Sequence, residues 1–167
     1  MKKTLLMLAL GCAALSASAQ ETKPMGMSFK IGNFWPSSGE ARTAGGSWVG
    51  FGFDMKLRDL KYANAGRQSA MLTLSGDVLN KNNFRNAPIL LNYVSRTDKM
   101  YTLAGAGASF AKWRSGSENE SGVIFAYTIG VGMDLQQGGM PMFAELRYLG
   151  TMESKLNGFG LFLGVRF

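Results

Sequence analysis

Histidine is absent from all 167 residues, and cysteine occurs once, at Cys12. Triads that use imidazole as the general base are therefore excluded. Metal sites lose their two commonest nitrogen and sulfur donors. The carboxylates do not compensate: Glu118 and Glu120 are the only close pair, in a Gly/Ser/Asn stretch that reads as a solvated loop tip. Gly45-Gly46 and Gly138-Gly139 lack the lysine and the strand-to-helix context of a phosphate loop and read as turns. The composition predicts no enzyme and no cofactor.

Long apolar runs are also missing. The one candidate, Thr4 to Leu15, is shorter than the ~20 residues a membrane helix needs. It follows Lys2 and Lys3 and precedes Ala17-Ser18-Ala19, the layout of an export signal over residues 1–19. Cys12 falls inside that signal, so the mature chain, residues 20–167, is expected to carry neither thiol nor disulfide. Ala9-Leu10-Gly11-Cys12 loosely resembles a lipoprotein processing site, but it sits early and lacks the usual aliphatic residue three before the cysteine. A signal-core role is the simpler reading.

The chain has 18 basic and 11 acidic residues, a net charge of +7, which falls to +5 without Lys2 and Lys3. The charges are dispersed, as on solvated loops; an anionic partner remains the alternative. Nothing points to nucleic acid.

What is present is alternation. From Leu156 to Phe167 the odd positions Phe159, Leu161, Leu163, Val165 and Phe167 are large and apolar, against Gly158, Gly160, Phe162, Gly164 and Arg166. The period of two predicts a strand. Val49, Phe51, Phe53, Met55 and Leu57 alternate likewise with Trp48, Gly50, Gly52, Asp54, Lys56 and Arg58. In a third segment Val123, Phe125, Tyr127, Ile129, Val131 and Met133 alternate with Ile124, Ala126, Thr128, Gly130, Gly132 and Asp134. Weaker strands are expected over Met27–Trp35, Ser69–Leu79, Ala87–Ser95, Met100–Trp113 and Pro141–Gly150.

A soluble sandwich or ligand-binding barrel also alternates, but it has no need of glycine on its second face. Glycine mixed with charge suits a narrow polar interior, with the large apolar face turned to lipid. Eight strands, each near the ~9–11 residues of a tilted membrane strand, predict an all-β fold: a closed eight-stranded antiparallel up-and-down transmembrane β-barrel. Outer loops are expected at Ser37–Ser47, Asn80–Asn86, Arg114–Ser121 and Thr151–Lys155, and inner turns at Asp59–Gln68, Arg96–Lys99 and Gln136–Met140.

Parity assigns Lys30, Asp54, Lys56, Arg58, Asp77, Asp134, Glu145, Arg147 and Arg166 to the lumen. Near balance of charge predicts mutual pairing, because an unpaired buried charge costs several kcal/mol. A rigid polar plug is the leading reading and a thin ion path lined by Lys30, Arg58, Arg147 and Arg166 the alternative. Trp35 and Trp113, near predicted outer strand ends, are candidate interface aromatics; parity turns Trp48 inward, as a cap on the lumen. Arg42, Lys81, Arg85, Lys112 and Arg114 lie towards the expected outer face. Arginine pairs well with phosphate, although exposed charge of this kind is more often merely solvated.

Gly160-Leu-Phe-Leu-Gly-Val-Arg-Phe167 resembles the closing strand of outer-membrane barrels, which ends in an aromatic residue. Phe143-Ala-Glu-Leu-Arg-Tyr148 resembles the penultimate strand of the small barrels related to the OmpX and OmpA membrane domains. The resemblance implies an outer-membrane location and a terminal strand read by the barrel-assembly machinery through Leu161, Leu163, Val165 and Phe167. No periplasmic peptidoglycan-binding domain is expected to follow, since the chain ends at the barrel. Outer-membrane deacylases, palmitoyltransferases and proteases of similar barrel type draw on a histidine, which this chain lacks. The expected function is a structural or surface-interaction barrel, monomeric, with partners in outer-membrane lipid and lipopolysaccharide. A narrow channel and a soluble periplasmic ligand-binding barrel are the alternatives.

Overall fold

The computed structural model describes residues 26–60, 68–115, 118–136 and 141–167. The expected export signal, with Cys12, and the Gly138-Gly139 turn lie outside the described residues.

Eight strands form a closed barrel in sequence order, each antiparallel to the next. They are β1 (Met27–Pro36), β2 (Trp48–Leu60), β3 (Gln68–Lys81), β4 (Phe84–Thr97), β5 (Met100–Ser115), β6 (Glu118–Gln136), β7 (Met142–Thr151) and β8 (Gly158–Arg166). The ring closes between β1 and β8, from Ser28 opposite Arg166 to Pro36 opposite Gly158. Beyond that ladder the Phe167 amide donates to the Met27 carbonyl at 2.8 Å. Closure leaves no open sheet edge along this seam, the condition for placing a sheet in hydrocarbon.

One end of the barrel, here the terminal end, carries Met27 and Phe167. The other, distal end carries two loops with short helices. A six-residue helix α1 (Gly39–Ala44) starts at Ser38, whose side chain accepts from the Ala41 amide at 3.5 Å. Arg42 ties it to β1, donating to the carbonyls of Pro36 at 2.8 Å and Ser37 at 3.1 Å. A 3-10 turn at Ser154–Leu156 precedes β8.

The strands run further than alternation of apolar residues alone marks out. The loop expected at Asn80–Asn86 is a two-residue turn at Asn82-Asn83, with Asn82 at φ 49°. The turn after β4 is likewise Asp98-Lys99, with Asp98 at φ 49°. Asn and Asp tolerate this left-handed backbone better than other non-glycine residues. Glu118 and Glu120 lie in β6 and not in a loop, because the β5–β6 ladder continues to Ser115 opposite Glu118. A strand rising past the apolar belt keeps its hydrogen bonds but no longer needs apolar side chains, so its ends read as loop.

The outer surface is a continuous apolar belt. Phe29, Ile31, Phe51, Ile89, Leu91, Phe125, Ile129, Val131, Leu146, Phe159, Leu161 and Leu163 are all about half exposed or more. Water-soluble monomers rarely expose apolar patches beyond a few hundred Å². The lumen is the reverse in part only. Its distal half is filled by Phe34, Trp48, Leu79, Phe84, Leu90 and Phe162, capped by Ala41 of α1 and by Leu156. The polar interior expected from the glycine-rich face holds for part of the lumen, and the glycines there make room for a few large rings as well as for charge.

Candidate functional site

Below the distal plug five charged side chains converge from four strands. Lys30 on β1 lies 2.9 Å from Asp54 on β2 and 3.1 Å from Asp77 on β3. Arg147 on β7 reaches Asp54 at 3.1 Å and Asp77 at 3.2 Å, and its Nε donates to Glu145 on the same strand. Glu145 also accepts from the Tyr101 hydroxyl at 3.0 Å, and Asp54 from Ser28 at 3.1 Å. The Lys30 side chain is 0% exposed and that of Arg147 6%. Two cations thus face three carboxylates in a largely buried site where each requires its partners.

Gly52 is what makes the cluster fit. A Cβ there would lie 2.0 Å from Asp77 Oδ1 and 2.3 Å from Lys30 Cε, whereas a Cβ on outward-facing Gly76 would meet nothing within 4 Å. Gly52→Ala is expected to lower unfolding stability in lipid vesicles by about 1–3 kcal/mol through overpacking. Gly76→Ala should stay within about 0.5 kcal/mol of the parent. Equal urea midpoints for the two variants would contradict this account of the glycines.

Nearer the terminal end Arg96 and Arg166 both pair with Asp134. The Arg166 guanidinium lies 4.4 Å from the Phe143 ring centre and 5.2 Å from that of Tyr101, a cation–π arrangement. Above them a cavity of about 210 Å³ opens between Met71, Val94, Leu103 and Phe143, with Asp54, Glu145 and Arg147 lining it as well. Among the described residues this cavity is followed along the lumen by the ion cluster and then by the apolar plug.

Of the nine residues that parity assigns to the lumen, Lys30, Asp54, Asp77, Asp134, Glu145, Arg147 and Arg166 lie there. Lys56 sits at the terminal mouth, 3.2 Å from Asp59, and is exposed. Arg58 does not face the lumen. A bulge at Leu57 shifts the register, so that Lys56 stands opposite Thr73 but Arg58 opposite outward-facing Leu72. The extra residue reverses the alternation. Arg96 and Tyr101 are the site residues that sequence reasoning missed. Arg96 falls in a segment read as a turn; continuing the alternation from Asn92 through Val94 would have reached it.

Trp35 lies on the outer surface near the distal rim. Trp113 is corrected: it shares the inward alternation of Ser109 and Ala111 and packs against the distal plug with Ala44 and Ile124. Trp48 is fully buried in the plug, between the rings of Phe34 at 5.4 Å and Phe84 at 5.7 Å. Leu161 and Leu163 point outward on β8, with the Phe167 ring 6.0 Å from that of Phe29. Among the basic residues of the distal side, Lys81 is half-buried beneath Gly45, while Arg42, Arg85, Lys112 and Arg114 are exposed. Among the described residues no three of His, Cys, Asp and Glu are grouped to hold a metal ion.

The closed eight-stranded ring, apolar without and partly charged within, has the fold of a small outer-membrane β-barrel. No family model and no curated protein matches the chain. Solved structures that it resembles include the N-terminal β-barrel domain of Pseudomonas aeruginosa OprF, at 13% identity and a TM-score of 0.52 over 87% of this chain and 100% of that one. The Yersinia pestis outer membrane protein Ail is similar at 17% identity and a TM-score of 0.48, over 84% and 98% of the two chains. The outer membrane enzyme PagL stands at 14% and 0.49, over 84% and 99%. At these identities the likeness concerns the fold alone.

Proposed function

We propose that the chain is a structural barrel of the bacterial outer membrane, exported by its N-terminal segment and inserted with the distal end outward. In this reading the distal rim and loops meet lipopolysaccharide or external surfaces. The barrel is a monomer, and its closing strand is read during assembly through Leu161, Leu163, Val165 and Phe167. The observation that carries the reading is the apolar belt around the whole barrel combined with buried charge inside it, the inverse of a soluble protein's arrangement.

Folded protein in detergent should migrate differently on a gel before and after boiling, and cell fractionation should leave it with the outer membrane. Release without detergent would favour the soluble periplasmic barrel instead. The channel reading is weakened by the plug of Phe34, Trp48, Leu79 and Phe162 at the distal half of the lumen. Planar bilayers holding the purified protein are expected to show no reproducible conductance steps. Ion-selective steps abolished by Arg147→Ala would restore the channel.

A further inference from the structure

On the outer face of the distal rim, Arg85 of β4 stands directly opposite Lys112 of β5, and Lys112 directly opposite Ser121 of β6. Opposed residues have Cβ atoms about 4.5–5.5 Å apart, and like charges in that position repel. Both side chains are exposed, and among the described residues neither has an ion-pair partner. On the facing strand Glu118 and Glu120 share the alternation of Ile124 and Ala126, the face opposite to that of Ser121. One step down the same strands Phe110 stands opposite Val123, 54% and 63% exposed, and Arg85, Lys112, Ser121, Phe110 and Val123 line one shallow depression. A repulsive cation pair is thus set where the apolar belt ends, with a hydroxyl beside it and an apolar floor that continues into the belt.

We infer that this depression binds the phosphate of an acylated phosphoglycolipid of the outer leaflet. The phosphate lies between the Arg85 guanidinium and the Lys112 ammonium, Ser121 donates its hydroxyl, and the acyl chains run down over Phe110 and Val123. An anion converts the repulsion into two charge-assisted hydrogen bonds, and an acylated phosphate uses both the charge and the floor, which free phosphate does not. The inference rests on the membrane reading above, with the distal end outward, and deepens it by naming the partner and its contacts.

The test uses the full-length mature protein in phosphatidylcholine nanodiscs, with bisphosphorylated lipid A, its dephosphorylated form and inorganic phosphate as probes. Arg85→Ala and Lys112→Ala should each weaken lipid A binding about tenfold. The dephosphorylated lipid should bind the parent and both variants alike and weakly, and millimolar inorganic phosphate should not compete. Unchanged lipid A affinity in the Arg85→Ala/Lys112→Ala double variant would overturn the site while leaving the membrane reading intact. Full competition by inorganic phosphate would make it a simple anion site and overturn the lipid. Failure of the parent protein to enter nanodiscs would instead overturn the membrane reading. Both residues are exposed, so heat-modifiable migration should confirm that the variants fold.

Discussion

Arg147→Met is expected to destabilise the barrel by about 3–5 kcal/mol, the usual cost of removing one partner from a buried ion cluster. The loss does not come from the missing contacts alone. Asp54, Asp77 and Glu145 would remain in the lumen with Lys30 as their one full cation, and each carboxylate would keep its desolvation cost. The same logic predicts partial rescue: adding Glu145→Gln to Arg147→Met removes one surplus charge and should recover part of the loss. The midpoint of urea unfolding in lipid vesicles, followed by the gel shift, measures both. A single variant as stable as the parent would mean that the cluster is hydrated and not dry.

Leu163→Arg carries the second large effect. Leu163 points outward from the middle of β8, about half exposed to whatever surrounds the barrel. In a bilayer its replacement should cost about 2–4 kcal/mol, and the cost should fall to about 0–1 kcal/mol for Val49→Arg. Val49 is also outward-facing, but it is paired with Asn33 and Asn80, where the belt meets the polar rim. The gradient between the two positions separates the membrane barrel from a soluble one, since water outside the barrel would make both changes nearly neutral. The comparison must be made in vesicles, where depth has meaning.

Alternation in β2, β6 and β8 made the fold legible, because a period of two survives wherever one face meets lipid. It also reached Lys30, Asp77, Glu145 and Arg147 as residues of one face. Charge balance signals that they pair but not which partners meet, since Arg147 meets Asp54 and Asp77 across the lumen, and that depends on register and closure around the whole ring. Arg58 was misassigned because one extra residue at Leu57 inverts parity with no mark in composition. Trp113 was misread from its place near a strand end, although its own parity with Ser109 and Ala111 points inward. The strand ends at Lys81, Phe84, Ser115 and Glu118 were hidden for a different reason: above the belt, hydrogen bonding between strands continues without any apolar signature. The distal plug was present in the sequence as Trp48 and Phe162 on the glycine face, but a face that mixes rings with glycine does not say whether the rings gather at one level.

The ladder bonds between neighbouring strands fix the circumference of the barrel but leave its cross-section free to flatten, as the rim of a wheel does without spokes. Arg147 spans from β7 to β2 and β3, and Lys30 joins β1 to β2, β3 and β7. These ties hold opposite walls at a set separation against lateral pressure from the bilayer. They also brace the β1–β8 seam from within: prising it apart would pull Arg147 on β7 away from Asp54 and Asp77, and Lys30 away from Glu145.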